Sequence, residues 1–328
     1  MKKLIVLSIL ISFTINAVFA QTNPDLVIGE FKITKIIDGD TFRFEGLDTS
    51  TRLLGIDTEE TFKDQDALQK TNEIAKIWEQ FYATERGDSK FPVKTDSPMG
   101  YAAWKWAEEF FKDVEIVRLE RENLKRDRDM YGRYLVYVIA IFPDGSEVNY
   151  NIECVRQGYS PYFDKYGRSE RFHDEFVAAQ NYARENKLGI WDAEKNKAYP
   201  DYEERLVWWN KRADQLQNYE TYYRDNLLCF NLLEQSEYER LKGYLGEIVT
   251  VFGSISEIKK SKFPYLLRIP VTRNESFELV IFEEYQSLMD ELDFETLENY
   301  NIYAKGKLTE YKGKLQIILK SADQVWMD

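Results

Sequence analysis

Within the stretch from Phe31 to Glu60, FKITKIIDGDTFRFEGLDTSTRLLGIDTEE, three carboxylates and one guanidinium stand where they could do hydrolytic chemistry: Asp40, Asp57, Glu60 and Arg52. Carboxylate clusters suit hard cations such as Ca²⁺, and an arginine fork suits phosphate. A divalent cation on Asp40 and Asp57 would screen a phosphodiester, and Glu60, within reach of a water, would orient it or take its proton. The elements that must position these groups are short. Ile33 to Ile37, Thr41 to Phe44 and Arg52 to Ile56 alternate apolar and polar residues and are split by Asp38-Gly39 and by Gly46-Leu47-Asp48, which predicts an antiparallel meander. Asp40 opens the middle strand and Asp57 closes the third, so antiparallel pairing brings both acids to one sheet edge. Glu60 follows three residues on and can reach the same place. The same residues also fit a polar hairpin rim, because Asp-Gly is a common turn and acids are usually exposed.

The totals narrow the chemistry. The chain has 328 residues, enough for two domains and a connecting piece. Residues 1–20 read as a cleaved secretory signal: Lys2 and Lys3, an apolar run from Leu4 to Ile11, and Val18-Phe19-Ala20 before Gln21. The mature product is therefore expected to be secreted or periplasmic, with no membrane span. A net charge of −13 becomes more negative without the two leader lysines. Such a surface repels polyanions at long range, so contact with nucleic acid needs a local basic site or a bound cation. One histidine and two cysteines exclude a His/Cys zinc cluster. His173, in SERFHDEF, reads as an exposed helix start rather than part of a nucleophilic triad. Cys154 and Cys229 could pair in an oxidising compartment or remain two buried thiols.

Along the chain, Thr61 to Thr95 reads as an insertion with one helix carrying Ile74, Ile77, Trp78 and Phe81 at helical spacing. Ser97-Pro98 starts a further helix, Ser97 as N-cap and Pro98 at the first helical position, with Ala103, Trp106, Ala107 and Phe110 on its buried face. Val114 to Leu119 and Tyr134 to Phe142 read as strands, and Arg133 follows the turn at Asp129–Gly132. Alone, Arg133 reads as a solvated strand-end residue, a weak signal by itself. VNYNIECVRQGYS reads as a helix ended by Gly158; a longer helix runs from about Glu170 to Asn186, with Trp191 plugging the core after it. Residues 196–245 read as a packed helical connector whose Trp208 and Trp209 cover an interdomain surface. From 246 to 328, five β runs with a helical stretch before the fourth fit a small OB-type barrel. Lys305, Lys307 and the hairpin Tyr311-Lys312-Gly313-Lys314 could track a phosphate backbone, or be merely solvated.

Taken in order, the blocks IIDGDTF, RLLGIDTEE, DRDMYGRYLVYV, VNYNIECVRQGY and LGIWD resemble the staphylococcal nuclease (thermonuclease) family over most of Ile33 to Asp192. The resemblance implies an α+β, mainly β fold: an OB-type five-stranded barrel with helices over 24–195, interrupted by the insertion at about 61–95. It implies Ca²⁺ on Asp40 and Asp57 with the backbone of Thr58, Glu60 acting on the attacking water, and Arg52 and Arg133 holding the scissile phosphate. The family's tyrosines near the nucleotide correspond loosely to Tyr162 and Tyr166 in SPYFDKYGRS. The family has Pro between the Thr and Glu of its metal motif where this chain has Glu59, so the sequence leaves open which of Glu59 and Glu60 acts. The expected function is a secreted, Ca²⁺-dependent endonuclease on DNA and RNA with no obligate protein partner. The competing class is a catalytically silent nucleic-acid or protein scaffold of two OB-like barrels, which would have no need of these acids and arginines together.

Overall fold

A computed structural model describes residues 23–124 and 127–328, so the expected leader at 1–20 lies outside the described residues. The chain begins with β1 (Val27–Phe31), β2 (Ile33–Ile36), β3 (Phe42–Phe44) and β4 (Thr51–Leu53). The helices α1 (Ala67–Ala75), α2 (Trp78–Arg86) and α3 (Pro98–Phe110) follow, then β5 (Ile116–Glu120), β6 (Tyr134–Ile141) and β7 (Glu147–Asn149), and finally α4 (Tyr150–Arg156) and α5 (His173–Glu185).

β2 and β3 form the expected antiparallel hairpin. The third strand departs from a simple meander, because β4 takes β6 as its ladder partner, in parallel, with Arg52 opposite Leu135. β3 and β4 are still stitched in the antiparallel sense: the Leu53 amide donates to the Asp40 carbonyl at 3.0 Å, and the Thr51 hydroxyl to the Phe42 carbonyl at 3.3 Å. With β6 on β5 and β5 on β1, the circuit runs β2-β3-β4-β6-β5-β1, the strand order of an OB barrel with its first strand bent between Phe31 and Ile33. β6 is central and buried on both faces, which is why LVYVIA reads as unbroken apolar sequence. Phe42, Phe111 and Tyr150 close the barrel interior, and Trp106 stacks on Tyr150 and Tyr159.

α3 starts as its sequence dictates: the Ser97 hydroxyl accepts the Gly100 amide at 2.8 Å, and Pro98 occupies the first turn. Gly100 is required there, since a Cβ would meet the Glu60 carbonyl oxygen at 1.9 Å. The insertion holds two helices instead of one. α2 buries Trp78 and Tyr82 against Tyr199 and Tyr202, and so fastens the insertion to the chain beyond the barrel. At the other end of α5, Ile190 is the fully buried plug and Trp191 only partly so.

After these come α6 (Tyr202–Asn218), β8 (Cys229–Asn231), α7 (Gln235–Leu241), β9 (Ile248–Ser254), β10 (Glu257–Lys259), β11 (Tyr265–Pro270) and β12 (Ser276–Ile281). The last elements are α8 (Leu288–Glu291), α9 (Phe294–Asn299), β13 (Asn301–Tyr311), β14 (Lys314–Ile318) and β15 (Val325–Trp326). The order β11-β12-β14-β13-β9, with β12 parallel to β14, repeats the first barrel's circuit, and α8 and α9 precede the fourth strand as expected. β8 lies inside the stretch expected to be helical and pairs in parallel with β9. Lys312 and Gly313 make the tight turn of the expected hairpin, both at positive φ. Cys154 and Cys229 are free, buried in separate cores. Among the described residues no helix is long and apolar enough to cross a membrane.

Candidate active site

The turn Asp38-Gly39-Asp40 and the loop Asp57–Glu60 meet at one edge of the first barrel. The Asp38 carboxylate accepts the Asp40 amide at 3.1 Å, an Asx turn, and pairs with Lys63 at 2.9 Å. Asp40 Oδ2 accepts the Thr58 amide at 3.0 Å, and Oδ1 accepts the Thr41 hydroxyl at 3.0 Å. Gly39 leaves room for Thr58, because a Cβ there would come within 2.7 Å of the Thr58 methyl. The Asp57 amide donates to the Ser160 hydroxyl at 2.8 Å, which ties this edge to the loop after α4.

Arg52 joins the two strand ends. One terminal nitrogen pairs with Asp40 and the other with Asp57, while the second also donates to the Ile56 carbonyl at 3.2 Å. Lys94, from the insertion, adds a second cation: its Nζ lies 2.6 Å from Asp57 Oδ1 and 3.9 Å from Glu60. The two buried aspartates consequently titrate in opposite directions. Burial raises Asp40 above the carboxylate range in spite of Arg52. Burial also acts on Asp57, but Lys94 and Arg52 together overcome it and hold that acid below the range.

The geometry separates Glu59 from Glu60. Glu59 is 2% exposed and points away from the aspartates. Its carboxylate takes the Ser97 hydroxyl on one oxygen, and on the other the Tyr199 amide at 2.6 Å and the Tyr202 hydroxyl at 2.8 Å. Burial pushes it up to about 7. Glu60 has a side chain 44% exposed and faces Lys94, Asp40 and Asp57. Partial burial raises it, Lys94 opposes the rise, and the two aspartates add to it. Its backbone is held by the Ser97 amide, which donates to the Glu60 carbonyl at 3.0 Å.

An OB barrel presenting acids and an arginine in this order has a counterpart among known sequences. Residues 50–193 match the family model described as Staphylococcal nuclease homologue. Over that span the chain is similar to staphylococcal nuclease homologues. An uncharacterized protein of Methanocaldococcus jannaschii is 29% identical over 167 residues, covering 50% of this chain and 72% of the archaeal protein. A thermonuclease of Staphylococcus intermedius is 26% identical over 176 residues, covering 53% of this chain and 83% of that enzyme. The family match begins after Asp40, so that acid stands on the geometry described above.

Other residues expected in the nuclease-homologue domain fall in different places. Among the described residues Arg133 makes no hydrogen bond or ion pair to Asp40 or Asp57. Its Nε pairs with Asp129 at 2.7 Å, and its guanidinium lies 5.5 Å from the Tyr131 ring. It sits in the turn just before β6, two residues ahead of Leu135, the parallel partner of Arg52. Tyr162 is corrected. It is 4% exposed, its ring stacks on Phe176 at 4.8 Å and its hydroxyl accepts the Ser169 amide at 2.9 Å, so it is a core residue that no base can stack on. Tyr166 is 59% exposed and Tyr131 is 63% exposed. Tyr131 and Lys94 went unread in the sequence. Tyr131 had a signal, an aromatic two residues before Arg133 in the same turn. Lys94 had none, since only the tertiary fold brings it to Asp57.

Among the described residues no group of three or more His, Cys, Asp or Glu side chains is arranged to hold a metal ion. The structure does converge two carboxylates on a single cationic group, and hard oxygen donors of this kind suit Ca²⁺ over softer metals. The donor chemistry therefore fits a hard divalent ion at Asp40 and Asp57, in competition with Arg52 and Lys94 for the same oxygens.

Proposed function

We propose that the chain is an extracytoplasmic, Ca²⁺-dependent nuclease that hydrolyses phosphodiester bonds of DNA and RNA at the Asp40–Asp57 edge. The observation that carries this reading is the placement of two buried aspartates on the two arms of Arg52, with the half-exposed Glu60 beside them. The similarity to a protein named thermonuclease supports the reaction class, and the N-terminal apolar run supports the location.

Asp40 and Asp57, with the backbone of Thr58, would hold the ion. When bound, it supplies charge that screens the phosphate anion and lowers the cost of the extra charge in the transition state. The chain's own residues do the rest. Arg52 turns one arm from the aspartates to an equatorial phosphate oxygen, and Arg133, with Asp129 fixing its Nε, offers its terminal nitrogens to another. Neither guanidinium can lose its proton, so the clamp stays charged at any working pH. Glu60 accepts the proton of the attacking water at its carboxylate, and the raised basicity that partial burial gives it favours that role. Glu59 does not compete, because its oxygens are taken up on the far side of the loop.

The test is to incubate the mature chain with single-stranded DNA, first with Ca²⁺ and then with excess chelator. Cleavage confined to the Ca²⁺ sample is expected. Equal cleavage in both samples overturns metal dependence, and none in either supports the silent-scaffold reading.

A further inference from the structure

Beside the acidic edge lies a pair of cations that form no ion pair among the described residues. Arg212, on α6, is 4% exposed, yet its hydrogen bonds go only to neutral oxygens among the described residues. These are the Asn299 carbonyl at 2.9 Å, the Ser254 hydroxyl at 2.6 Å and the Asn301 side chain at 3.1 Å. Its Nε is buried without a partner. Lys165, in the loop after Tyr162, places its Nζ 3.8 Å over the ring of Trp208. Trp208 donates to the same Asn299 carbonyl that Arg212 uses, at 2.7 Å, so the two cations converge on one spot. No ion pair of Lys165 is found among the described residues either. Burial, and then the charge of Arg212, press its ammonium down to about 7 against the pull of Asp57.

A buried charge without a counterion is costly, and proteins rarely keep one unless something supplies the missing charge. A buried guanidinium and a partly buried ammonium side by side in a chain with a net charge of −13 are a place prepared for an anion. The spot is continuous with the candidate active site: Arg52 lies 5.8 Å over the ring of Phe163, two residues before Lys165, and Phe163 packs edge-on against Trp209 of α6. Exposed Tyr166, 5.9 Å from Arg212, adds a ring on which a base can stack. Cations interleaved with aromatics are what a single nucleic-acid strand uses.

We propose that Lys165, backed by Arg212 and flanked by Tyr166, is a phosphate subsite that holds the substrate strand away from the bond being cut. The site is built jointly by the nuclease-homologue barrel, α6 and the C-terminal barrel, whose Asn299, Asn301 and Ser254 hold Arg212 in place. It rests on the nuclease reading, and it gives the second barrel a part in the reaction: it shapes a substrate track without touching the scissile phosphate.

The test compares wild type, Lys165→Gln and Tyr166→Ala in binding a fluorescein-labelled oligothymidylate in chelator, across a range of salt concentrations. Lys165→Gln is expected to weaken binding and flatten the plot of log affinity against log salt by about 0.7, the slope of one single-strand phosphate contact. Tyr166→Ala is expected to weaken binding by roughly fivefold or more, the loss of one stacked base. With Ca²⁺, Lys165→Gln should raise KM for the long strand and leave kcat unchanged. Wild-type affinity and slope in Lys165→Gln overturn the subsite, as does an oligonucleotide that binds none of the three proteins. Cleavage by wild type in Ca²⁺ separates the two failures, since a protein that cuts but does not use Lys165 loses the subsite and keeps the nuclease reading.

Discussion

Replacing Glu60 and Glu59 in turn by Gln separates the two adjacent acids by their surroundings. Glu60→Gln is nearly free structurally: the side chain is 44% exposed, and its ion pair among the described residues is the long one to Lys94 at 3.9 Å. What it removes is the ability to take a proton, which is typically worth 10² to 10⁴ in rate, or about 2.7 to 5.4 kcal/mol of barrier. Glu59→Gln keeps the Oε1 acceptor for the Tyr199 amide and the Tyr202 hydroxyl. Its new amide would face the Ser97 hydroxyl, which already accepts the Gly100 amide, so that hydroxyl must turn its proton elsewhere. The cost is about one hydrogen bond, 0.5 to 1.5 kcal/mol, felt as stability and as less than about a tenfold loss of rate. Initial rates on single-stranded DNA in Ca²⁺, with a melting temperature for each variant, decide the matter. A larger loss of rate in Glu59→Gln than in Glu60→Gln would refute the assignment and put the base one residue earlier.

Further expectations follow from the same edge. Arg52→Lys cannot reach Asp40 and Asp57 with separate arms, so one charge-assisted hydrogen bond is lost while Asp57 keeps Lys94. A loss of about 1.5 to 3 kcal/mol in urea unfolding and of about 10² to 10³ in kcat is expected, and near-wild-type values in both would contradict the bridge. Lys94→Met removes the half-exposed cation from Asp57 and should tighten Ca²⁺ binding by about fivefold in calorimetry, the scale of a screened ion pair; weaker binding would show that Lys94 assists the ion. Asp164 is buried, and burial raises it to about 6 against Arg168. With its folded value above its unfolded one, the folded chain holds more protons between about pH 4 and 6, so stability from this group falls as pH rises through that window. Asp164→Asn should therefore gain on wild type by up to about 3 kcal/mol between pH 4 and pH 7 in urea unfolding, and a difference that does not change with pH would contradict the burial argument.

Much of the first barrel was legible because its signals are local. Asp38-Gly39-Asp40 is a turn by its own side chains, Ser97-Pro98 caps α3 within four residues, and β6 announces its two buried faces through composition. What was not legible depends on partners far along the chain. The orientation of Glu59 is set by Tyr199 and Tyr202, 140 and 143 residues away, so the sequence could not choose between it and Glu60. Tyr162 looked like a loop aromatic free to meet a base, and only the Phe176 face of α5 makes it core. The parallel partner of β4 follows from closing the barrel and not from its three residues, and β8 is too short to show any alternation. The second barrel was legible in outline, because its strands are rich in β-branched, aliphatic and aromatic residues and the helical stretch falls before the fourth.

A crystal structure of the Glu60→Gln variant with Ca²⁺ and a short DNA strand measures the central claim directly. The account predicts an ion within about 2.3 to 2.6 Å of oxygens from both Asp40 and Asp57, and a phosphate on Arg52. An ion bound elsewhere, or a strand lying on another face with Arg52 still closed on both aspartates, would contradict it.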